Sequence, residues 1–253
     1  YRFFWNDYCA WYLEMAKPRL RDPLQAPVVR QVLVWCIDQT VRLLHPVTPY
    51  ITEAIWGQLN EAAPARGISQ PMTQTEHLIV APWPTVEPSL RDESLEQAVD
   101  AMRTVVTSVR DIRTYINSVR AQAKQTSIRT LPGVMVRADQ PISDILKLYH
   151  EQIMILGSCE TLEYGPDLVK PSRAASQVHA GIEVFVPLGD LIDPGTEIAR
   201  LEKERDKTAK MAAATRAKLD NAGFTSRAPE EVVEQQREDR KSTRLNSSHR
   251  IRT

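Results

Sequence analysis

The stretch Leu44-His45-Pro46-Val47-Thr48-Pro49-Tyr50-Ile51-Thr52-Glu53-Ala54-Ile55-Trp56 decides how the N-terminal part of this chain folds. Pro46 has no N–H and ends an incoming helix, while Pro49 suits the first position of a new one, with Thr48 before it as N-cap. Ile51, Ile55 and Leu59 then recur at helical spacing and mark a short third helix. Upstream, Val29, Val32, Leu33, Cys36, Ile37, Thr40 and Leu44 mark a second helix, opened by Pro27. Before that, Phe4, Tyr8, Trp11, Tyr12 and Met15 form the stripe of a first helix over Tyr1 to Lys17, closed by Pro18. Three amphipathic helices joined by short proline-bearing turns predict a helical bundle.

Downstream, Glu61 to Pro88 reads as a loop whose Trp83, between Pro82 and Pro84, is expected to pack back on the bundle. A fourth helix follows over about Leu95 to Arg120, with Val99, Met102, Val106, Val109, Ile112 and Ile116 inward. Arg103, Arg110, Arg113 and Arg120 recur at spacings of 7, 3 and 7 and so share one face of it. After Gln122 the texture changes. Val134 to Val136, Thr161 to Tyr164 and Ile182 to Val186 read as strands, and Ile142 to Leu156 as a helix, which predicts a small α/β module.

The last long element runs from about Thr196 to Ala222. Ile198, Leu201, Arg205, Thr208, Ala212, Thr215, Leu219 and Ala222 make a heptad seam that is poorly filled for self-association. Gly223 suits a helix stop, and Pro229-Glu230-Glu231 suits the start of a second helix. The predicted fold is therefore mostly α: a helical bundle over residues 1–121, a small α/β connector over 122–193, and a truncated antiparallel coiled-coil arm over 194–240. Residues 241–253 have no helical pattern and resemble translated adaptor or vector sequence.

Net charge is zero over 253 residues, but the tail carries Lys241, Arg244, Arg250 and Arg252 without a carboxylate; removing it leaves 28 cations against 32 carboxylates, a net charge of −4. From Ala101 to Ala138 there are seven cations and one anion, Asp111. Cys9, Cys36 and Cys159 stand singly, which suggests reduced thiols and a cytoplasmic setting. The five histidines have no metal-ligand spacing, and no apolar run is long enough to cross a bilayer. The chain opens on Tyr1 within a helical pattern, so it is expected to be part of a longer protein.

Residues 9–20, Cys-Ala-Trp-Tyr-Leu-Glu-Met-Ala-Lys-Pro-Arg-Leu, and the run from Leu44 to Trp56 resemble the anticodon-binding helical domain of class I aminoacyl-tRNA synthetases of the branched-aliphatic group. The pair Trp83-Pro84 agrees. Lys218-Leu219-x-Asn221-x-Gly223-Phe224 followed by Ala228-Pro229-Glu230-Glu231-Val232-Val233 resembles the C-terminal arm of the valyl-tRNA synthetase family. One departure follows Asn117, where that family has a proline-rich turn and this chain reads Ser118 to Lys124.

The resemblance implies a C-terminal part of a valine–tRNA ligase that binds valine tRNA at its anticodon and outer corner. The family's His-Ile-Gly-His and Lys-Met-Ser-Lys-Ser signatures are absent. Catalytic residues and metal ligands are thus not expected here, nor activity in this piece alone. ATP and Mg²⁺ are implied for the parent enzyme and no cofactor for this part. The expected partner is tRNA, with no membrane and a monomeric chain.

Candidate tRNA contacts are Lys17 and Arg19 past the first helix, Arg103, Arg110, Arg113 and Arg120 on the fourth, and Arg200, Lys203, Lys207, Lys210, Arg216 and Lys218 on the arm. Clustered cations with few carboxylates suit phosphate binding, though each set could equally be a solvated helix face. On the arm, Glu197, Glu202, Glu204 and Asp206 dilute the positive field. Trp5, Trp11, Trp35 and Trp56 are expected in the core, with stacking on unpaired bases as the alternative. Two other identities stand beside this one: the same region of an isoleucyl or leucyl enzyme, or a stand-alone helical RNA-binding or scaffold protein.

Overall fold

The computed structural model describes residues 1–220 apart from 69 and 73, and leaves the side chains of 196, 204, 218 and 220 undescribed. The returning arm helix and the tail expected beyond Asp220 therefore lie outside the described residues. The chain divides into two compact units, Tyr1–Leu95 and Glu96 onward. Most of the fourth helix thus groups with the sheet module, whereas the change of texture in the sequence suggests a boundary at residue 121.

The first unit opens with a π-helix, Phe3–Tyr12, that runs into α1 (Leu13–Arg19). π-Helices are mostly single-turn bulges, and ten residues is long for one. Here aromatic residues spaced by four stack along it, Phe4 on Tyr8 at 5.3 Å and Tyr8 on Tyr12 at 6.2 Å. The Tyr8 hydroxyl donates to the Leu33 carbonyl at 3.1 Å and ties this segment to α2 (Ala26–Leu44). Pro18 sits inside α1 rather than ending it. Pro27 falls in the first turn of α2, where its missing N–H costs nothing.

Helix α3 (Pro49–Ala62) starts at Pro49 as expected. Thr48 occupies the N-cap position, but its hydroxyl turns back to the Leu44 carbonyl instead of capping. Val41, Trp56, Leu59 and Leu78 form the buried cluster of this unit, with Val34, Ile37, Ile55 and Ala81 against it. Leu78, in a short 3₁₀ turn (Leu78–Val80), is the loop residue that plugs the bundle. Trp83 does not; it is 61% exposed, because its flanking prolines hold the loop extended past the core. Trp56 is fully buried, but Trp5 is exposed on the π-helix, contrary to the expected core placement.

The second unit comprises α4 (Glu93–Gln122), β1 (Val134–Arg137), α5 (Gln140–Leu148), α6 (His150–Gly157), β2 (Leu162–Tyr164), β3 (Ala174–His179), β4 (Ile182–Pro187) and α7 (Pro194–Asp220). The sheet order is β2-β1-β4-β3, with β1 parallel to β2 and antiparallel to β4. The helix expected over 142–156 is two helices, because Tyr149 leaves helical geometry between them. Asp139 caps α5 by accepting from the Ile142 N–H at 3.0 Å. Strand β3 is paired with β4 through a two-residue turn in which Ala180 and Gly181 both have positive φ, the geometry of a tight hairpin.

Met102, Val106, Val109, Ile112 and Ile116 of α4 are buried. Gly157 suits the close approach of α6 to α4: a Cβ there would meet the Val109 Cγ1 at 3.3 Å, a tight contact that would require Val109 to shift by a few tenths of an ångström. No described helix is long and apolar enough to cross a membrane.

Candidate nucleic-acid interface

The arginine face of α4 is half-buried, and Arg110, Arg113 and Arg120 hold backbone carbonyls of the fold. Arg110 Nε donates to the Leu156 carbonyl at 3.0 Å, and Arg113 Nη1 to the Gly157 carbonyl at 2.6 Å. These carbonyls end α6, so the two guanidinium groups satisfy orphan acceptors at the negative end of a helix dipole. Burial pushes the Arg113 pKa down, with the Arg110 charge acting in the same direction. Arg120 donates to the Thr126 carbonyl at 2.8 Å and to the Leu191 carbonyl at 2.7 Å. Asn117 completes the set by bonding both backbone groups of Ile128. This is how the corner after Asn117 closes without a proline-rich turn: side chains on α4 hold the returning backbone, and Lys124 adopts a left-handed conformation. Arg103 lies half-buried on the same helix.

Lys17 and Arg19 lie exposed in the last turn of α1, where cations complement the helix dipole. Lys17 pairs with Glu14 at 2.6 Å, and Arg19 donates to Gln25 at 2.8 Å. Both pairings are exposed and weak enough to be exchanged for a phosphate.

On α7, Arg200 differs from its neighbours. It grips Glu197 through two hydrogen bonds of 2.7 Å, while the Tyr115 hydroxyl donates to Glu197 at 2.5 Å. Lys203, Lys207, Lys210 and Arg216 are exposed. At about 100° per residue, Lys203, Lys207 and Lys210 fall on one stripe. The seam from Ile198 through Leu201, Thr208 and Ala212 to Leu219 falls roughly on the opposite face. Arg216 lies on the seam side, and the Lys218 side chain is among those not described. A helix packed on the seam would thus leave the lysine stripe open.

In the first unit an open groove of ≈480 Å³ is lined by His45, Pro49, Tyr50, Glu53, Ala54, His77 and Ile79. Tyr50 is 92% exposed beside it. Behind the groove, Glu53 accepts the Leu78 N–H at 3.1 Å, and His45 Nδ1 lies 2.8 Å from the Thr52 hydroxyl. Two guanidinium groups stand over the Trp56 ring, with Arg42 Cζ at 4.7 Å and Arg66 Cζ at 4.4 Å from the ring centre. Asp38 pairs with Arg42 at 2.6 Å and Arg66 at 3.1 Å. Within the run from His45 to Trp56, Thr52 and Trp56 thus serve the fold, while Tyr50 and Ile51 face outward.

The family described as "Anticodon-binding domain of tRNA ligase" matches residues 1–128. The chain belongs to this anticodon-binding domain family. A second family, "Valyl tRNA synthetase tRNA binding arm", matches residues 193–252, a span that includes most of the tail read as adaptor-like. The chain is 36% identical over 239 residues to the valine–tRNA ligase of Enterococcus faecalis, covering 94% of this chain and 25% of that relative. It is 33% identical over 243 residues to that of Bacillus subtilis, covering 95% and 26%. For Rhodopirellula baltica the identity is 31% over 240 residues, covering 94% and 22%. The chain thus spans about a quarter of the length of these relatives.

Within this anticodon-binding domain, sequence reasoning misses the Asp38, Arg42, Arg66 and Trp56 assembly. A partial signal exists, since Asp38 and Arg42 stand at an i,i+4 spacing in the second half of an amphipathic helix. Arg66 gives no signal, because its partners are set by how the loop returns. Glu197 reads as a diluting surface charge in the sequence, whereas it is one of the buried polar groups.

Proposed function

We propose that this chain is the tRNA-binding C-terminal portion of a valine–tRNA ligase. One observation carries it: an anticodon-binding match and a tRNA-arm match lie in order on the same chain, separated by a sheet module. The exposed lysine stripe of α7 supports a backbone contact, since positive side chains on one helix face bind phosphates irrespective of base. Lys17 and Arg19, both exposed at the end of α1, are the cations of the first unit we assign to the anticodon loop. Arg103, Arg110, Arg113 and Arg120 would act chiefly by holding the scaffold, and Arg200 by holding the arm.

The parent protein would join valine to its tRNA using ATP and Mg²⁺, in a catalytic part that this chain does not contain. The role of the present residues is to collect binding energy far from the chemistry and use it for position. The protein would work in the cytoplasm as a monomer. Filter binding with valine tRNA and a non-cognate tRNA over a salt series tests this. Preference for valine tRNA with a steep salt dependence is expected; equal weak binding of both would refute the anticodon role.

A further inference from the structure

We infer that Tyr115, Glu197 and Arg200 form a clamp that sets the direction in which α7 leaves the second unit, making Glu197 a positioning residue for the arm. The inference deepens the proposed tRNA-binding role and rests on it for its biological meaning.

The clamp is built where α7 is anchored. Glu197 is 8% exposed, while most of α7 beyond Arg200 faces solvent. The Tyr115 hydroxyl donates to one Glu197 oxygen, and Arg200 donates to both. The Arg200 guanidinium also stands 5.8 Å from the centre of the Tyr115 ring. The Glu197 N–H bonds the Asp193 carbonyl at 3.1 Å, and Arg120 holds the Leu191 carbonyl just upstream. Ile192 is buried between these attachments. Tyr115 and Arg120 both come from α4, so the root of the arm is fixed to one rigid helix at two points.

The arrangement costs more than a surface anchor would. A buried carboxylate must be fully paired to be tolerated, and this one has donors for both oxygens. Exposed pairs such as Arg205 with Asp206, further along the helix, lack this property. The leverage explains the value. About 20 residues beyond Arg200 span about 30 Å, so a swing of about 10° at the root moves the far end by about 5 Å. The same swing moves Lys203 by about 1 Å and Lys210 by about 2.5 Å, so the mismatch with a phosphate track, whose contacts require about 3 Å, grows along the stripe.

The experiment measures the arm's direction without RNA. Spin labels at Val178→Cys on β3 and Met211→Cys on α7, both exposed sites of the second unit, report the distance distribution by pulsed electron resonance. Cys9 and Cys36 are replaced by serine; Cys159 is buried and left in place. Tyr115→Phe removes one hydroxyl, and Glu197→Gln removes the charge while keeping an acceptor. Each should broaden the distribution at least twofold with helix content unchanged, and weaken tRNA binding about three- to tenfold with the same salt slope. Distributions as narrow as the parent's in both variants would overturn the clamp. Weaker tRNA binding with an unchanged distribution would overturn it too. A parent chain that binds no tRNA refutes the functional proposal, while the distance measurement still decides the clamp.

Discussion

Asp38 and Arg42 form a 2.6 Å ion pair with almost no solvent exposure, one helical turn apart on α2. The pair does not stand alone. Arg42 also donates to the Pro82 carbonyl at 2.8 Å, and Arg66 reaches Asn60 at 2.6 Å. Asn60 and the Trp56 indole both donate to the Thr75 carbonyl. One carboxylate therefore organises two arginines, a buried tryptophan and the loop that returns over α3.

Removing that carboxylate leaves two buried guanidinium groups without their counter-charge. Asp38→Ala should destabilise the first unit by about 3–5 kcal/mol, the range for breaking a buried pair. Chemical denaturation followed by circular dichroism measures it. A loss below about 1 kcal/mol would mean the arginines find water or other acceptors instead.

The internal bonds of Arg113 predict a separation of stability from RNA binding. Lysine keeps the charge but lacks the planar fork, so Arg113→Lys should destabilise nearly as much as Arg113→Ala, by about 1–3 kcal/mol. The salt slope of tRNA binding should not change in either. A reduced slope in Arg113→Ala at unchanged stability would identify Arg113 as a phosphate contact.

The lysine stripe should behave the opposite way. Lys203→Ala, Lys207→Ala and Lys210→Ala combined should leave unfolding unchanged and lower the salt slope of tRNA binding by about 0.7–0.9 for each phosphate no longer neutralised. Placing the same number of neutralisations at Arg129, Lys147 and Lys170 is the control, and an equal effect there would point to general charge alone.

How much of this is visible in the sequence depends on the range of each interaction. Pro49 with Ile51 and Ile55 specifies α3, because start signal and periodicity are local. The shared face of Arg110, Arg113 and Arg120 is equally plain. What that face meets is not, since Leu156, Gly157 and Leu191 reach it through tertiary folding. Strand β3, Ala-Ala-Ser-Gln-Val-His, has little β-propensity of its own and exists through its pairing with β4. Glu197 looks like any charge on a solvated helix until Tyr115 is placed beside it.

The clamp has a pH signature. Burial pushes the Glu197 carboxyl up, but hydrogen bonds from Arg200 and Tyr115 and the Arg200 charge bring it below the usual carboxylate value. A depressed folded pKa gives stability that is present above the unfolded value, about 4.3, and lost as pH falls through the folded one. Hydrogen-exchange protection of the first turns of α7, taken relative to the intrinsic rate at each pH, should therefore hold through about pH 5 and fall only below about pH 4. Glu197→Gln should remove that pH dependence. Protection that disappears already between about pH 6 and 5 would contradict the pairing.

The opposition of seam and lysine stripe on α7 has an evolutionary consequence. The two sets point roughly to opposite sides of the helix, so substitutions in one should need little compensation in the other. Contacts to a partner could drift at Lys203, Lys207 and Lys210 while Ile198, Leu201 and Leu219 continue to be selected for packing. A single helix would then carry two separately evolving traits, and variation among homologues should sort by face before it sorts by position along the arm.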